Sequence, residues 1–344
     1  MKMNGGNKRY ALGKVVCLGS SSEGNAYYIE INRKGYPTPF NLLIECGFQY
    51  KELTKRLLKN GLSVRKIDAF LVTHEHHDHS LAVPKLVEYG KKVFAPKSVF
   101  EHYGILDQVN VNQIITIKPN KKSTTFRLAD EIDVVGFELE HKNNDGSMTF
   151  NLGYIIKANC DFGLHRILFV TDTYYIRYNL SNIKFNTIFI EANNFARNLI
   201  FSIKEAQAKG DKFKEIHFDR VLHSHFLVEN TIKTLVGTKK MNGFDLSETD
   251  MIYLIHLSAS GNVNPYEIKS KVYETLRKKR KLRTIEHKGK IFLSPKVYVF
   301  RKNGEIIWKL ILSIQALFIT WLMKKGKSYL KRDIIKIYKT KLKN

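Results

Sequence analysis

Thr73-His74-Glu75-His76-His77-Asp78-His79 follows Ile67-Asp68-Ala69-Phe70-Leu71-Val72, a short apolar run of β type. The cluster therefore falls where a buried strand ends and a loop or helix begins. Four imidazoles and two carboxylates in six consecutive residues make poor core material, because each needs a partner when buried. A divalent metal partners several at once. In the pattern H-x-H-x-D-H, His74 and His76 stand two apart, with Asp78 and His79 at the turn that follows. That spacing hands two nitrogens to one ion and a carboxylate plus a nitrogen to a second, leaving positions open for water. A solvated, His-rich surface loop is the bland alternative; the preceding strand and the mixed ligand types favour a built site.

The 344 residues suffice for one large domain or two ordinary ones, and the 43% apolar content is that of a globular chain. The net charge of +25 is unusual and unevenly placed. From Pro265 to Asn344 there are 23 Lys plus Arg against 5 Asp plus Glu, a net of +18, which leaves 34 against 27, or +7, for the rest. A basic C-terminal part on a modestly basic body points to a polyanion, either nucleic acid or an anionic membrane surface, with solubility as the plain alternative. Cys17, Cys46 and Cys160 are widely spaced, odd in number and without a C-x-x-C pair, which predicts reduced thiols in a cytoplasmic protein. The first nine residues hold no apolar signal-type run, so secretion is not expected.

Upstream of the cluster, Lys14 to Leu18 reads as a strand, Gly19 to Asn25 as a tight loop of small residues, and Ala26 to Ile31 and Phe40 to Cys46 as further strands. Small residues in that loop permit close approach of another strand or of a ligand phosphate. Tyr50 to Asn60 has helical spacing at Leu53, Leu57 and Leu58, with Gly61 as its stop. Downstream, a helix near Val83 to Tyr89 and a strand at Lys92 to Ala95 follow. Ile132 to Leu139 alternates as a strand and ends at Glu140-His141, and Leu152 to Lys157 is the next. Three apolar runs, Ile167 to Val170, Thr187 to Ile190 and Met251 to Ile255, end respectively at Asp172, Glu191-Ala192-Asn193 and His256. In an open sheet, ligands gather at such strand ends.

These segments together resemble the metallo-β-lactamase fold superfamily and, within it, the YycJ-like (WalJ-like) hydrolases of exonuclease type. The resemblance is carried by Leu18 to Asn25, Leu43-Ile44-Glu45-Cys46-Gly47, Val72 to His79, His141, Asn151 to Tyr154, Phe169 to Thr173, Glu191 to Asn193, and His256-Leu257-Ser258 with Asn262. It implies an α/β fold, the αββα four-layer sandwich, over residues 1–308, followed by a basic helical extension at 309–344. It also implies two divalent ions, Zn²⁺ or Mn²⁺. His74, His76 and His141 would hold one, Asp78, His79 and His256 the other, with Asp172 bridging and Glu75 and His77 as spacers. The implied chemistry is phosphodiester hydrolysis through a metal-bridged hydroxide, with Asp78, Asp172 and His225 as the catalytic set. In the segment Val221 to Leu227 the family carries Gly-His-Leu-Ser-Asn. Ser224 replaces the glycine here, so His223 and His225 both stand as the counterpart, with a phosphate contact or general acid as the role. Glu45 replaces a more usual aspartate. His102, His165, His217 and His287 have no ligand spacing.

Tyr266 to Leu276 has helical spacing and runs into Arg277-Lys278-Lys279-Arg280-Lys281-Leu282-Arg283, six cations in seven residues. Lys296 to Phe300 and Glu305 to Trp308 read as a closing hairpin about Asn303-Gly304. The apolar run Leu310 to Met323 is short for a bilayer span, and its basic flanks suit a docked or membrane-surface helix. Ser21, Asn25, Asn193 and His225, with Lys278, Lys279 and Arg280, are the expected substrate contacts. The expected function is hydrolysis of nucleic acid, DNA first, in the cytoplasm, with peripheral membrane contact through 306–344 as a further partner reading. Hydrolysis of small or cyclic nucleotides is one alternative. A non-catalytic basic nucleic-acid- or membrane-binding protein with a structural metal is the other.

Overall fold

The computed structural model describes residues 11–117, 121–142, 147–258, 263–286 and 296–299, with the backbone alone at 142, 279–286 and 296. Two sheets carry the fold. The first has the order β1-β2-β3-β4-β5-β6 and is built from β1 (Leu12–Ser21), β2 (Gly24–Ile31), β3 (Phe40–Ile44), β4 (Ala69–Leu71), β5 (Val93–Pro96) and β6 (Ile114–Ile115). Strands β1 to β3 pair antiparallel, and β3 to β6 pair parallel. Every residue of β4 is buried, as befits a parallel strand covered on both faces.

The second sheet has seven strands in reverse order, from β13 (Lys296–Val299) through β12 (Met251–Ile255), β11 (Thr187–Glu191), β10 (Gly163–Val170), β9 (Met148–Cys160) and β8 (Ile132–Lys142) to β7 (Ser123–Ala129). Strands β7 to β10 form an antiparallel meander, and β10 to β13 pair parallel. Apolar side chains of both sheets interdigitate in one core, with Leu42, Ile44 and Leu71 facing Val134, Ile156, Phe169 and Phe189. The Tyr27 ring meets Phe169 edge-on, 5.5 Å between centroids, and the Tyr154 hydroxyl donates to the Val72 carbonyl at 2.6 Å. These cross-sheet links fix the strand that precedes the histidine cluster.

On the outer face of the first sheet, α1 (Tyr50–Lys59), α3 (Val83–Glu88) and α4 (Lys97–His102) bury Leu53, Leu57, Leu86, Val99 and Phe100 in a second core. Helix α1 stops at Gly61, whose φ of 71° is left-handed. A one-turn helix, α2 (His77–Ser80), sits inside the cluster itself. Between β11 and β12 come α5 (Ala196–Ala208), α6 (Lys212–Ser224) and α7 (Val228–Val236); α8 (Pro265–Glu286) follows β12. Helix α7 packs on β11, and α8 on β13 and α7, which supplies the fourth layer. Gly210 in the left-handed region and Asp211, whose side chain accepts from the Lys214 amide at 3.1 Å, join α5 to α6.

One expectation is corrected. Gly19 to Asn25 is strand apart from the two-residue turn Ser22-Glu23, because the glycines serve packing: a side chain at Gly19 or Gly24 would collide with the Phe48 ring. Strand β13 pairs parallel with β12; the return strand of the proposed hairpin, Asn262, His287 and the extension 309–344 lie outside the described residues. Strand β7 and helices α5 to α7 had no counterpart in the sequence reading.

Candidate metal centre

The C-terminal ends of β4, β10, β11 and β12 and the end of β8 converge at one edge of the sandwich. Each chain end turns sharply there. Glu45 after β3, Asp172 after β10 and His256 after β12 have φ of 63°, 49° and 51°, a left-handed conformation that non-glycine residues rarely adopt. Such backbone costs roughly 1–3 kcal/mol per residue and persists where packing enforces it. Its effect is to tip each side chain off the strand end and into the common site.

Three donor groups share Asp172. His74, His76, His141 and Asp172 form one, and Asp78, His79, Asp172 and His256 a second. The third, Asp172, Glu191, His225 and His256, overlaps the other two and includes the Glu191–His225 pair at 2.7 Å. In the first, Nε2 of His141 faces Nδ1 of His76 at 3.2 Å, and Asp172 Oδ2 lies 3.5 Å from His74 Nε2 and 3.7 Å from His141 Nε2. In the second, His79 Nε2 stands 3.1 Å from Asp172 Oδ2 and 3.3 Å from Asp78 Oδ2, and His256 Nε2 is 3.4 Å from Asp78 Oδ2. A tetrahedral ion with bonds of about 2.0–2.1 Å separates its donors by about 3.3–3.4 Å, so these two groups have the right spacing for one divalent ion each. His74 Nε2 is buried with no hydrogen-bond partner, an orphan that an ion would satisfy.

Electrostatics divide the groups. Burial, with the charge of His79, lowers the pKa of His74, and burial drives His141 well below the usual histidine value, leaving lone pairs free for ligation. For His256 burial works the same way, but Asp172, Asp78 and Glu191 outweigh it and lift the ring to about 10. His79 is likewise raised well above its ordinary value, against burial, by Asp172, Asp78 and Glu45. Asp78 and Asp172 are depressed although burial opposes it, by His79 first in one case and by His256 first in the other.

A family model described as a β-lactamase superfamily domain matches residues 40–240. The chain belongs to that superfamily. It is a metal-dependent hydrolase on the superfamily's two-sheet fold. A curated relative, exodeoxyribonuclease WalJ of Streptococcus pneumoniae, is 26% identical over 258 residues, which cover 73% of this chain and 83% of the relative. Among solved structures, unliganded yeast PDE1 is similar at a TM-score of 0.50 and 11% identity, covering 84% of this chain and 99% of that one. The short form of human tRNase Z is similar at a TM-score of 0.45 and 15% identity, covering 71% and 92%.

Around this superfamily site, a layer of buried polar groups holds the donors in place. Thr73 Oγ1 donates to Glu45 Oε1 at 2.6 Å, and Glu45 Oε1 faces His79 Nδ1 at 3.3 Å, so the glutamate takes an orienting position despite replacing an aspartate. Glu191 Oε1 accepts from His225 Nδ1 at 2.7 Å and lies 3.2 Å from His256 Nδ1. The sequence marks Glu191 as a polar residue at a strand end and in the family resemblance but assigns it no role; the end of a fully buried strand is where it stands.

The structure brings His225, not His223, to the site. His225 is buried and stacks on His256 with 5.4 Å between centroids, whereas His223 is exposed and sits by Asp219. Ser21, Asn25 and Asn193, the expected substrate contacts, are buried and absent from the lining of the site's cavity. The Asn25 amide donates to the Asp78 carbonyl at 3.2 Å, and that of Asn193 to the His256 carbonyl at 3.1 Å. Lys278 lies on α8 and is absent from the lining of the site's cavity; the side chains of Lys279 and Arg280 lie outside the described residues. Glu75 is more than a spacer: its carboxylate accepts from Thr149 at 2.5 Å and Ser98 at 3.1 Å, tying the loop to β9 and α4.

A cavity of about 340 Å³ opens over the two groups. Besides donors, its wall includes Ser22 and His77, and also His102 and Arg220, which carry no ligand signature in the sequence. His102, expected to be ordinary, pairs with His77 at a ring separation of 5.7 Å.

Proposed function

We propose that the chain is a two-metal phosphodiesterase that hydrolyses nucleic acid, DNA first, from an end. The observation that carries it is one buried carboxylate, Asp172, common to two donor groups of the right spacing. His74, His76 and His141 would hold one ion and Asp78, His79 and His256 the other, with Zn²⁺ and Mn²⁺ both suited to His and carboxylate donors. Bound there, the ions would acidify water and neutralise charge on a phosphoryl group.

The remaining work falls to side chains of the chain. Ionised Glu191 accepts from Nδ1 of His225 and so fixes the tautomer, leaving Nε2 for the oxygen that departs. Asn25 and Asn193 brace the backbone of Asp78 and His256, and Glu45 with Thr73 braces His79 and His74. The name of the pneumococcal relative supports DNA and an exonuclease action. The +18 excess beyond Pro265 suits a phosphate backbone, with Lys278, Lys279, Arg280 and the segment 309–344 as the proposed grip beside a hydrolase domain of residues 1–308. Three unpaired cysteines, all buried, agree with a cytoplasmic setting. No helix among the described residues is long and apolar enough to cross a membrane.

The test is a panel of linear and circular DNA, single- and double-stranded, with RNA and cyclic nucleotides, assayed with Zn²⁺ or Mn²⁺. Nucleotides released from linear DNA by the wild type and not by Asp78→Asn are expected. Cleavage of cyclic nucleotides alone, or equal activity in the variant, would overturn the proposal.

A further inference from the structure

Among the described residues, Arg220 is the one that lines the cavity with a positive charge kept across the working pH range. It projects from the last turns of α6, five residues before His225. The backbone there is pinned: Ser224 Oγ donates to the Arg220 carbonyl at 2.7 Å and the His225 amide to the Val221 carbonyl at 3.3 Å. Arg220 and His225 thus ride on one rigid turn.

The side chain is half-buried, yet among the described residues no hydrogen bond or ion pair engages its guanidinium. Partly withdrawing five N–H donors from water without a partner is unfavourable. The nearby carboxylates are already committed, Asp172 to His79 and His256 at 3.1 and 3.2 Å and Asp78 to His79 at 3.3 Å. Burial lowers the pKa of Arg220, while Asp172 and Asp78 support its charge, so the guanidinium lies within the electrostatic reach of both donor groups. As a lining residue of a cavity of about 340 Å³ that holds the metal donors, Arg220 offers a planar fork of N–H donors, the arrangement that binds a tetrahedral oxyanion through two N–H groups.

We propose that Arg220 grips a phosphate of the substrate inside this cavity, opposite the metal donors, and restricts the site to phosphate-bearing substrates. The assignment rests on the phosphodiesterase function proposed above and names the group by which that substrate is recognised. Arg220 is then a substrate-binding residue on the helix turn that presents His225.

The experiment uses full-length, metal-loaded wild type, Arg220→Ala and Arg220→Lys, each checked for metal content and thermal unfolding. Inorganic phosphate is titrated calorimetrically, and kcat and KM are measured on linear DNA. Arg220→Ala is expected to bind phosphate roughly 10- to 100-fold more weakly with unchanged metal content, and to raise KM for DNA. Arg220→Lys, which keeps the charge and loses the fork, is expected to recover only part of that affinity. Phosphate affinity within about twofold of wild type in Arg220→Ala, or in Arg220→Lys should the alanine variant not fold, overturns the proposal. If DNA is cleaved by wild type and Arg220→Ala with equal KM, the clamp is wrong and the nuclease function stands. If DNA is untouched but phosphate binding depends on Arg220, the clamp stands and the nuclease function falls.

Discussion

Gly47 and Asp78 touch backbone to backbone: a Cβ on Gly47 would overlap the Asp78 carbonyl and stand 2.6 Å from the His79 amide nitrogen. The Gly47 amide donates to the Asn25 carbonyl at 3.0 Å, and the Cys46 amide to the His79 carbonyl at 2.8 Å, so the loop after β3 is the seat on which the one-turn helix rests. Gly47→Ala is therefore expected to push Asp78 and His79 out of position, costing roughly 1–3 kcal/mol of stability and more than half of the bound metal. Metal analysis and urea unfolding of the variant check this; full metal content at wild-type stability would contradict it.

Glu191 governs a different part of the chemistry. With its carboxylate 2.7 Å from His225 Nδ1, Glu191→Gln should loosen the tautomer and orientation of that ring and lower kcat about 10- to 100-fold. A double-variant cycle with His225→Ala separates this from simple unfolding: Glu191→Gln should cost kcat little further once His225 is gone, while Tm changes little. An undiminished loss in the His225→Ala background would show that Glu191 does not act through His225.

Metal loading should release protons. In apo protein at pH 7, His79, raised well above its ordinary value, and His256, raised to about 10, both carry protons that ligation must expel. His74 and His141 are lowered and contribute none. Calorimetric titration of Zn²⁺ at pH 7 in buffers of different ionisation enthalpy should count about two protons per chain, and affinity should weaken as pH falls. A count near zero would contradict the electrostatic division of the two groups.

His165 on β10 reports on the fold rather than the site. Burial lowers its pKa to about 4, so the neutral ring is favoured in the folded state. The stability it contributes is present above the unfolded value of about 6.5 and is lost as pH falls toward the folded one. Because the ring is only partly shielded, roughly 1–2 kcal/mol should disappear between pH 7 and 4.5. Urea midpoints of His165→Gln should lack that component; an identical pH dependence would exclude it.

The residues of the centre were legible where chemistry is dense or a strand announces itself. His74 to His79 stands out by composition alone, and Asp172 and His256 each follow an apolar run that became β10 or β12. Small residues near Ser21 serve packing: Gly19 and Gly24 make room for the Phe48 ring, and Ser20 Oγ accepts from the His256 amide at 2.8 Å. Helices α5 and α6 escaped notice for a physical reason: Phe201, Phe213 and Ile216 are 60%, 82% and 66% exposed, and apolar residues facing outward blur the helical period. Arg220 left no trace in the sequence, since only the path of α6 brings it over the cavity.

The most direct test of the two-metal account is the activity of the stripped enzyme on linear DNA as divalent ion is added back in known equivalents. Hydrolysis should be absent without metal, reach its maximum at about two ions per chain, and stay absent at any loading in Asp172→Asn, which removes the charge shared by both groups. Full hydrolysis by the stripped enzyme, or undiminished turnover in Asp172→Asn, would contradict it.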